Sequence, residues 1–145
     1  MTSESPTTKS RATPAMHIGE IAARTELSLR TLRHYDEIGL LRPSGRSDGG
    51  FRLYTQDDLD QLLLIRRMKP LGFSLEQMAD VLRVIAILSA EPQPPGTPGD
   101  LDHARQRLRE VLALARERRA RLHRQLGMAD EFIGLLDERL PASDG

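Results

Sequence analysis

The chain has 145 residues, with 21 Lys+Arg balanced by 21 Asp+Glu, so its zero formal charge gives no overall pull toward nucleic acid. It contains no cysteine, which excludes disulfides, thiol catalysis, iron–sulfur clusters and Cys-ligated metals. Aromatic residues are only 3% and Trp is absent, so a core has to be built from Leu, Ile, Val, Ala and Met. The longest apolar runs, Val84–Leu88 and Val111–Ala115, are far shorter than the roughly 20 residues that span a bilayer. Residues 1–15 also lack the apolar core of a signal peptide. This composition predicts a cytoplasmic chain with one domain, or one small domain and an appendage.

Residues 1–15 are rich in Ser, Thr and Pro and read as a disordered leader. From Met16, helical periodicity recurs in short blocks. Ile18, Ile21 and Ala22 fall at i, i+3, i+4 and predict a first short helix. Ser28 has the chemistry to cap a second, with Leu29 and Leu32 facing inward, Gly39 closing it and Pro43 blocking continuation. Residues 42–54 differ in kind. Asp48-Gly49 signals a tight turn, and the flanks alternate, with Phe51 and Leu53 on one face and Arg52 and Tyr54 on the other. A β-hairpin standing off the helices is expected there.

Thr55 and Asp58 have capping-box spacing and open a third helix to about Lys69. Ser74 and Gln77 open a fourth to about Ser89. Residues 91–100 hold four of the nine prolines and two glycines, which no regular element survives. The expected organisation is therefore a leader at 1–15, a helical domain with a hairpin at 16–88, a linker at 89–100, one long helix at 101–140 and a flexible tail at 141–145.

The long helix carries a heptad seam. One register holds Leu101, Leu108, Ala115, Leu122, Ala129 and Leu136; the other holds Arg105, Leu112, Arg119, Leu126, Ile133 and Leu140. Ten of these twelve positions are apolar, which predicts a coiled-coil helix. Gly127 and Gly134 make a bend in it conceivable. Such a seam cannot face water alone, and the first domain is too small to cover it, so a homodimer is expected. Leu101, Leu108, Leu112, Leu122, Leu126, Ile133 and Leu136 are its expected contacts.

Residues 17–38 form two short helices around a tight connection, the arrangement that lays its second helix in a DNA major groove. On that second helix Arg30, Arg33 and His34 share one outward face, with Glu37 in the last turn. Arginine binds guanine acceptors or phosphate in forked geometry. Between residues 24 and 52 there are six Arg against four acids, a modest basic bias hidden by the neutral total. A solvated helix face would look the same. A following hairpin with Arg46, Arg52 and Tyr54 makes the order of parts that of a winged helix–turn–helix, whose wing grips the backbone beside the groove.

The stretch HIGEIAARTELSLRTLRHYDEIGLLRPSGRSDGGFRLYTQDDLDQLLLIRRMKPLGFSLEQMADVL resembles the DNA-binding domain of MerR-family transcriptional regulators over about residues 16–85. TLRHYDEIGLL, the wing string ending in DGGFRLY, the helix opened by TQDDL and the turn LGFSLEQM carry the resemblance. It implies a mainly α fold: a winged helix–turn–helix domain followed by a long antiparallel coiled-coil dimerisation helix. It further implies DNA contacts from Arg33 and Tyr35 on the recognition helix and from Arg46, Phe51, Arg52 and Tyr54 on the wing, with Arg30 and His34 beside them. His34 stands where the family often has an aromatic residue. Promoter DNA and RNA polymerase are the implied partners. The implied operator is pseudo-palindromic, in an overlong spacer between the −35 and −10 elements, and the dimer distorts it.

Family members that sense thiophilic metals or redox state use cysteines that this chain lacks, and a large drug-binding domain is not expected. No metal, cofactor or catalytic residue is expected; a small-molecule effector at the dimer interface stays open. His103 and His123 lie off the seam, about 30 Å apart along one helix. The arginines at 116, 118, 119, 121 and 124 read either as an anion site or as a solvated face. Asp57, Asp58 and Asp60 look like a carboxylate cluster, but the first two sit in a first helical turn, where negative charge complements the dipole. The alternatives to a promoter regulator are an architectural or recombination-accessory DNA-bending protein, and a partner-binding adaptor.

Overall fold

A computed structural model describes residues 16–90 and 98–142. The expected leader, the centre of the expected linker (91–97) and the last three residues lie outside the described residues. The chain divides into two compact units, Met1–Arg83 and Val84–Gly145.

In the first unit, β1 is Met16–His17, α1 Ile18–Thr25, α2 Leu29–Glu37, β2 Gly45–Arg46, β3 Arg52–Tyr54 and α3 Gln56–Met68. A 3-10 turn, Lys69–Leu71, leads to α4, Leu75–Ser89, inside which the unit boundary falls. The sheet is antiparallel in the order β1-β3-β2, with Met16 opposite Tyr54 and Arg46 opposite Arg52. β1 was not expected: Met16 lies in a strand, not at the start of a helical block. Ile21, Leu27, Leu32, Tyr35, Leu41, Tyr54, Leu59, Leu62, Ile65, Met68 and Phe73 are buried and make the core.

Local chemistry explains the boundaries. Thr25 is fully buried; its hydroxyl donates to the Ile21 carbonyl at 2.7 Å and accepts from the Leu27 amide at 3.2 Å. Those two bonds bracket Glu26, the one non-glycine among the described residues in the left-handed region, at φ 62°. Such a conformation costs about 1–2 kcal/mol, and Thr25 holds it, so the helix–turn–helix connection is tight without a glycine. Ser28 caps α2 by accepting from the Thr31 amide at 3.0 Å. Gly39, at φ 77°, follows the end of that helix and donates to the Asp36 carbonyl.

Thr55 and Asp58 form the reciprocal capping box of α3, and Asp58 also accepts from the Ser44 hydroxyl at 2.6 Å. This buried carboxylate therefore ties the start of the wing to a helix N-terminus. Ser74 and Gln77 cap α4 in the same reciprocal way, at 2.8 and 3.0 Å.

Two expectations need correction. Leu29 is 39% exposed, because it is the first residue of α2 and the inward line runs through Leu32 and Tyr35 instead. Phe51 does not alternate with Leu53: β3 begins only at Arg52, and Phe51 belongs to the loop, 66% exposed. Within that loop the Ser47 carbonyl accepts from Gly50, the Phe51 carbonyl accepts from Ser47, and Gly50 sits at φ 84°. The turn is therefore a three-residue connection with a left-handed glycine, not a two-residue one.

The second unit is dominated by α5, Pro98–Arg139, a continuous helix of 42 residues through both Gly127 and Gly134. It begins three residues before the expected Leu101, with Pro at its first position, where a missing N–H costs nothing. No helix among the described residues is long and apolar enough to cross a membrane.

Candidate nucleic-acid interface

The inward line of α2, Leu32 and Tyr35, is buried, at 1% and 3% exposure, which fixes the helix's rotation. Arg30, Arg33, His34 and Glu37 then emerge together on the opposite side, all exposed, lining one open concavity. The predicted face is thus assembled, with the Glu37 carboxylate at its C-terminal end. Three cationic or donor groups on one exposed helix face, from Arg30 in the first turn to His34 in the last, suit an array of acceptors: phosphate oxygens, or the N7 and O6 edges of guanine.

The wing is attached to the same helix by an acid that charge counting alone would set against DNA binding. Asp36 Oδ2 accepts from Arg52 Nε at 2.8 Å and from Arg46 Nη2 at 3.3 Å. Its side chain is only 12% exposed, against 26% for Arg52 and 49% for Arg46. Arg46 also reaches the Gly50 carbonyl at 3.5 Å. The hydrogen bond to Asp36 raises the Arg52 pKa, outweighing the opposing effect of desolvation. Both wing arginines are therefore anchored at one edge of their guanidinium groups. Asp36 was missed by sequence reasoning; its place one residue after Tyr35, on neither the core nor the outward line, was the available signal.

Phe51 projects at the tip of the hairpin with its ring over Gly49, where an added Cβ would meet it at 3.0 and 3.2 Å. An exposed ring at the end of a basic hairpin suits contact with sugar and base edges. Tyr35 and Tyr54, expected among the DNA contacts, both have their rings inside, at 3% and 1% exposure. The reason is geometric. Tyr35 continues the inward line of α2, and its carbonyl accepts from the Leu40 and Leu41 amides; Tyr54 is the central-strand residue opposite Met16. Burial raises the pKa of both phenols. The Tyr54 hydroxyl is buried with no hydrogen-bond partner among the described residues. No group of three His, Asp or Glu residues that could hold a metal occurs among the described residues.

Two short helices around a tight turn, followed by a basic hairpin fastened to the second helix, define a winged helix–turn–helix protein. The sequence pattern of the MerR HTH family regulatory proteins matches residues 16–84. The chain is 33% identical to the HTH-type transcriptional regulator YfmP of Bacillus subtilis over 119 residues, covering 81% of this chain and 80% of that one. It belongs to the MerR family. It is also 46% identical to the uncharacterized HTH-type transcriptional regulator PA4778 of Pseudomonas aeruginosa over 67 residues, 46% of this chain and 51% of the relative. It thus spans about half the length of that curated relative. Among solved structures it shares its fold with HiNmlR, a MerR family regulator lacking the sensor domain and bound to promoter DNA. There the TM-score is 0.61 and the identity 24%, over 84% of this chain and 90% of that one.

Proposed function

We propose that this chain is a sequence-specific transcription regulator that binds double-stranded promoter DNA as a homodimer in the cytoplasm, at the nucleoid. α2 enters the major groove with Arg30, Arg33 and His34 toward the bases and phosphates. The wing sets Arg46, Phe51 and Arg52 against the adjacent backbone. Two-fold symmetry calls for a pseudo-palindromic site, and as in the family the dimer distorts a long promoter spacer so that RNA polymerase can engage both of its elements. Bending of that kind costs several kcal/mol, which backbone contacts have to supply. The observation that carries the reading is the shared outward face of Arg30, Arg33 and His34 on a helix whose opposite face is buried. The named relatives are transcriptional regulators, which favours promoter control over a purely architectural role.

Footprinting over the DNA upstream of the chain's own gene tests this. The expected result is protection of an inverted repeat within a promoter spacer. Arg33→Ala is expected to lose about 10- to 100-fold in affinity for that site, the worth of one bidentate base or phosphate contact. Wild-type affinity in a folded Arg33→Ala variant refutes the role of that residue. Absence of any protected site at moderate salt refutes the function.

A further inference from the structure

The outward face of α2 carries one group that runs against the rest of it. Arg30, Arg33, His34 and Glu37 line a single open concavity, and all four are exposed. Glu37 is the last residue of the helix. A negative charge at that end opposes the helix dipole, which favours cations there. Among the described residues the Glu37 carboxylate has no hydrogen bond and no ion pair, although Arg33 lies one helical turn before it. Arg52 senses its charge, but less than it senses the hydrogen bond and the charge of Asp36.

The neighbouring acid differs in each respect. Asp36 is 12% exposed and bonded to both wing arginines. Glu37 caps nothing, pairs with nothing and fills no core, and it faces the polyanion that this helix is proposed to enter.

What a carboxylate can do in a major groove is accept. The four residues stand at i, i+3, i+4 and i+7, the spacing by which a homeodomain helix reads base edges along the groove. Arginine suits the two acceptors of guanine. Donors are offered there only by the amino groups of cytosine and adenine, and adenine sets its N7 acceptor beside the donor, so a carboxylate suits cytosine. From Arg30 to Glu37 the helix rises about 10 Å at 1.5 Å per residue, which spans about three base pairs at 3.4 Å each. Along its length the face therefore passes from a group that only donates to one that only accepts.

We propose that Glu37 is a specificity-determining residue of this face. Its carboxylate accepts from the N4 amino group of a cytosine, about three base pairs from the guanine met by Arg30. Toward phosphate the same charge only subtracts affinity, so it widens the gap between the specific site and random DNA. The inference rests on the DNA-binding function proposed above and adds a base to it.

Selection from a pool of randomised duplexes, with full-length wild-type, Glu37→Gln, Glu37→Ala and Arg30→Ala chains, tests this. The wild-type chain is expected to enrich an inverted repeat with cytosine about tenfold over other bases at one position of each half-site. Glu37→Gln is expected to move that position to adenine, whose N6 and N7 match the donor and acceptor of an amide. Glu37→Ala is expected to lose the preference there and leave the rest of the repeat unchanged. Arg30→Ala is expected to lose a guanine about three base pairs away instead. Both Glu37 variants are expected to tighten on random duplex, with a salt slope steeper by up to about one. Their thermal melting is not expected to fall below that of the parent, because the side chain has no partner to lose.

If wild-type and both Glu37 variants enrich the same repeat, Glu37 reads no base, and the inference falls while the DNA-binding function stands. Uniform tightening on every sequence with no base exchanged has the same consequence, since the acid then only cancels charge. A wild-type chain that enriches no sequence removes the proposed function and this inference with it.

Discussion

Asp36→Asn keeps the size of the side chain and an oxygen that can accept from Arg52, and removes only the charge that holds the two wing arginines. The Arg52 contact is 2.8 Å long between side chains 26% and 12% exposed. A hydrogen bond that involves a charged group is worth about 1.5–3 kcal/mol, and with the arginine still charged the Asn oxygen moves this contact from the upper to the lower part of that range, a loss of about 1 kcal/mol. The Arg46 contact is longer, at 3.3 Å, and its arginine is half exposed, so it adds at most about 0.5 kcal/mol. For a domain of this size the total lowers Tm by roughly 5–10 °C. The effect on DNA has the opposite sign at low salt. Removing the carboxylate that partly neutralises the two guanidinium groups raises the positive charge facing phosphate, and the slope of log affinity against log salt steepens by up to about one. Discrimination of the specific site falls, because the wing is no longer held at a fixed angle to α2. Thermal melting and a salt titration on specific and random duplexes read both effects. An unchanged Tm together with an unchanged salt slope refutes the argument that Asp36 positions the wing.

Tyr54→Phe removes a buried hydroxyl that has no partner among the described residues. Relief of that desolvation is expected to raise stability by about 1 kcal/mol, with no change in DNA affinity. A loss of affinity from this variant would show that the hydroxyl turns outward to DNA after all. The two wing glycines are expected to separate in the same melting assay. Gly50→Ala forces a side chain into φ 84° and costs about 1 kcal/mol or more. Gly49→Ala meets only the exposed Phe51 ring, which can swing aside, so its stability stays within about 0.5 kcal/mol of the parent. Equal destabilisation by the two contradicts this account of the turn.

What was legible in the sequence was decided within about four residues. The caps at Ser28, Thr55 and Ser74 work through partners three positions on, and the structure forms all three. The outward face of Arg30, Arg33 and His34 follows from helical spacing, once Leu32 is taken as core. What was not legible depends on chain brought together from far apart. Strand β1 exists only because Met16 pairs with Tyr54, and two residues carry no periodicity of their own. The tyrosines were ambiguous because an amphipathic ring serves a core or a surface equally well, and only the packing against distant elements puts them inside. Glu26 gave no sign of a left-handed turn, since the constraint comes from the buried hydroxyl of its neighbour Thr25.

The acids around the recognition helix show why counting charge misjudges such a surface. Six arginines against four acids between residues 24 and 52 reads as a weak bias. In the folded chain those acids are not equivalent. Glu26 pairs with Arg66 at 3.0 Å, on the turn between α1 and α2. Asp36 lies behind the wing arginines, nearly buried, and orders them while Arg46 remains half exposed. Of the acids on α2 itself, only Glu37 opposes an approaching phosphate on the face that carries Arg30 and Arg33. An acid that fixes a cation from the inner side lowers the entropy cost of using that cation, whereas an acid on the outer face simply cancels it. The difference lies in burial, which no net charge records.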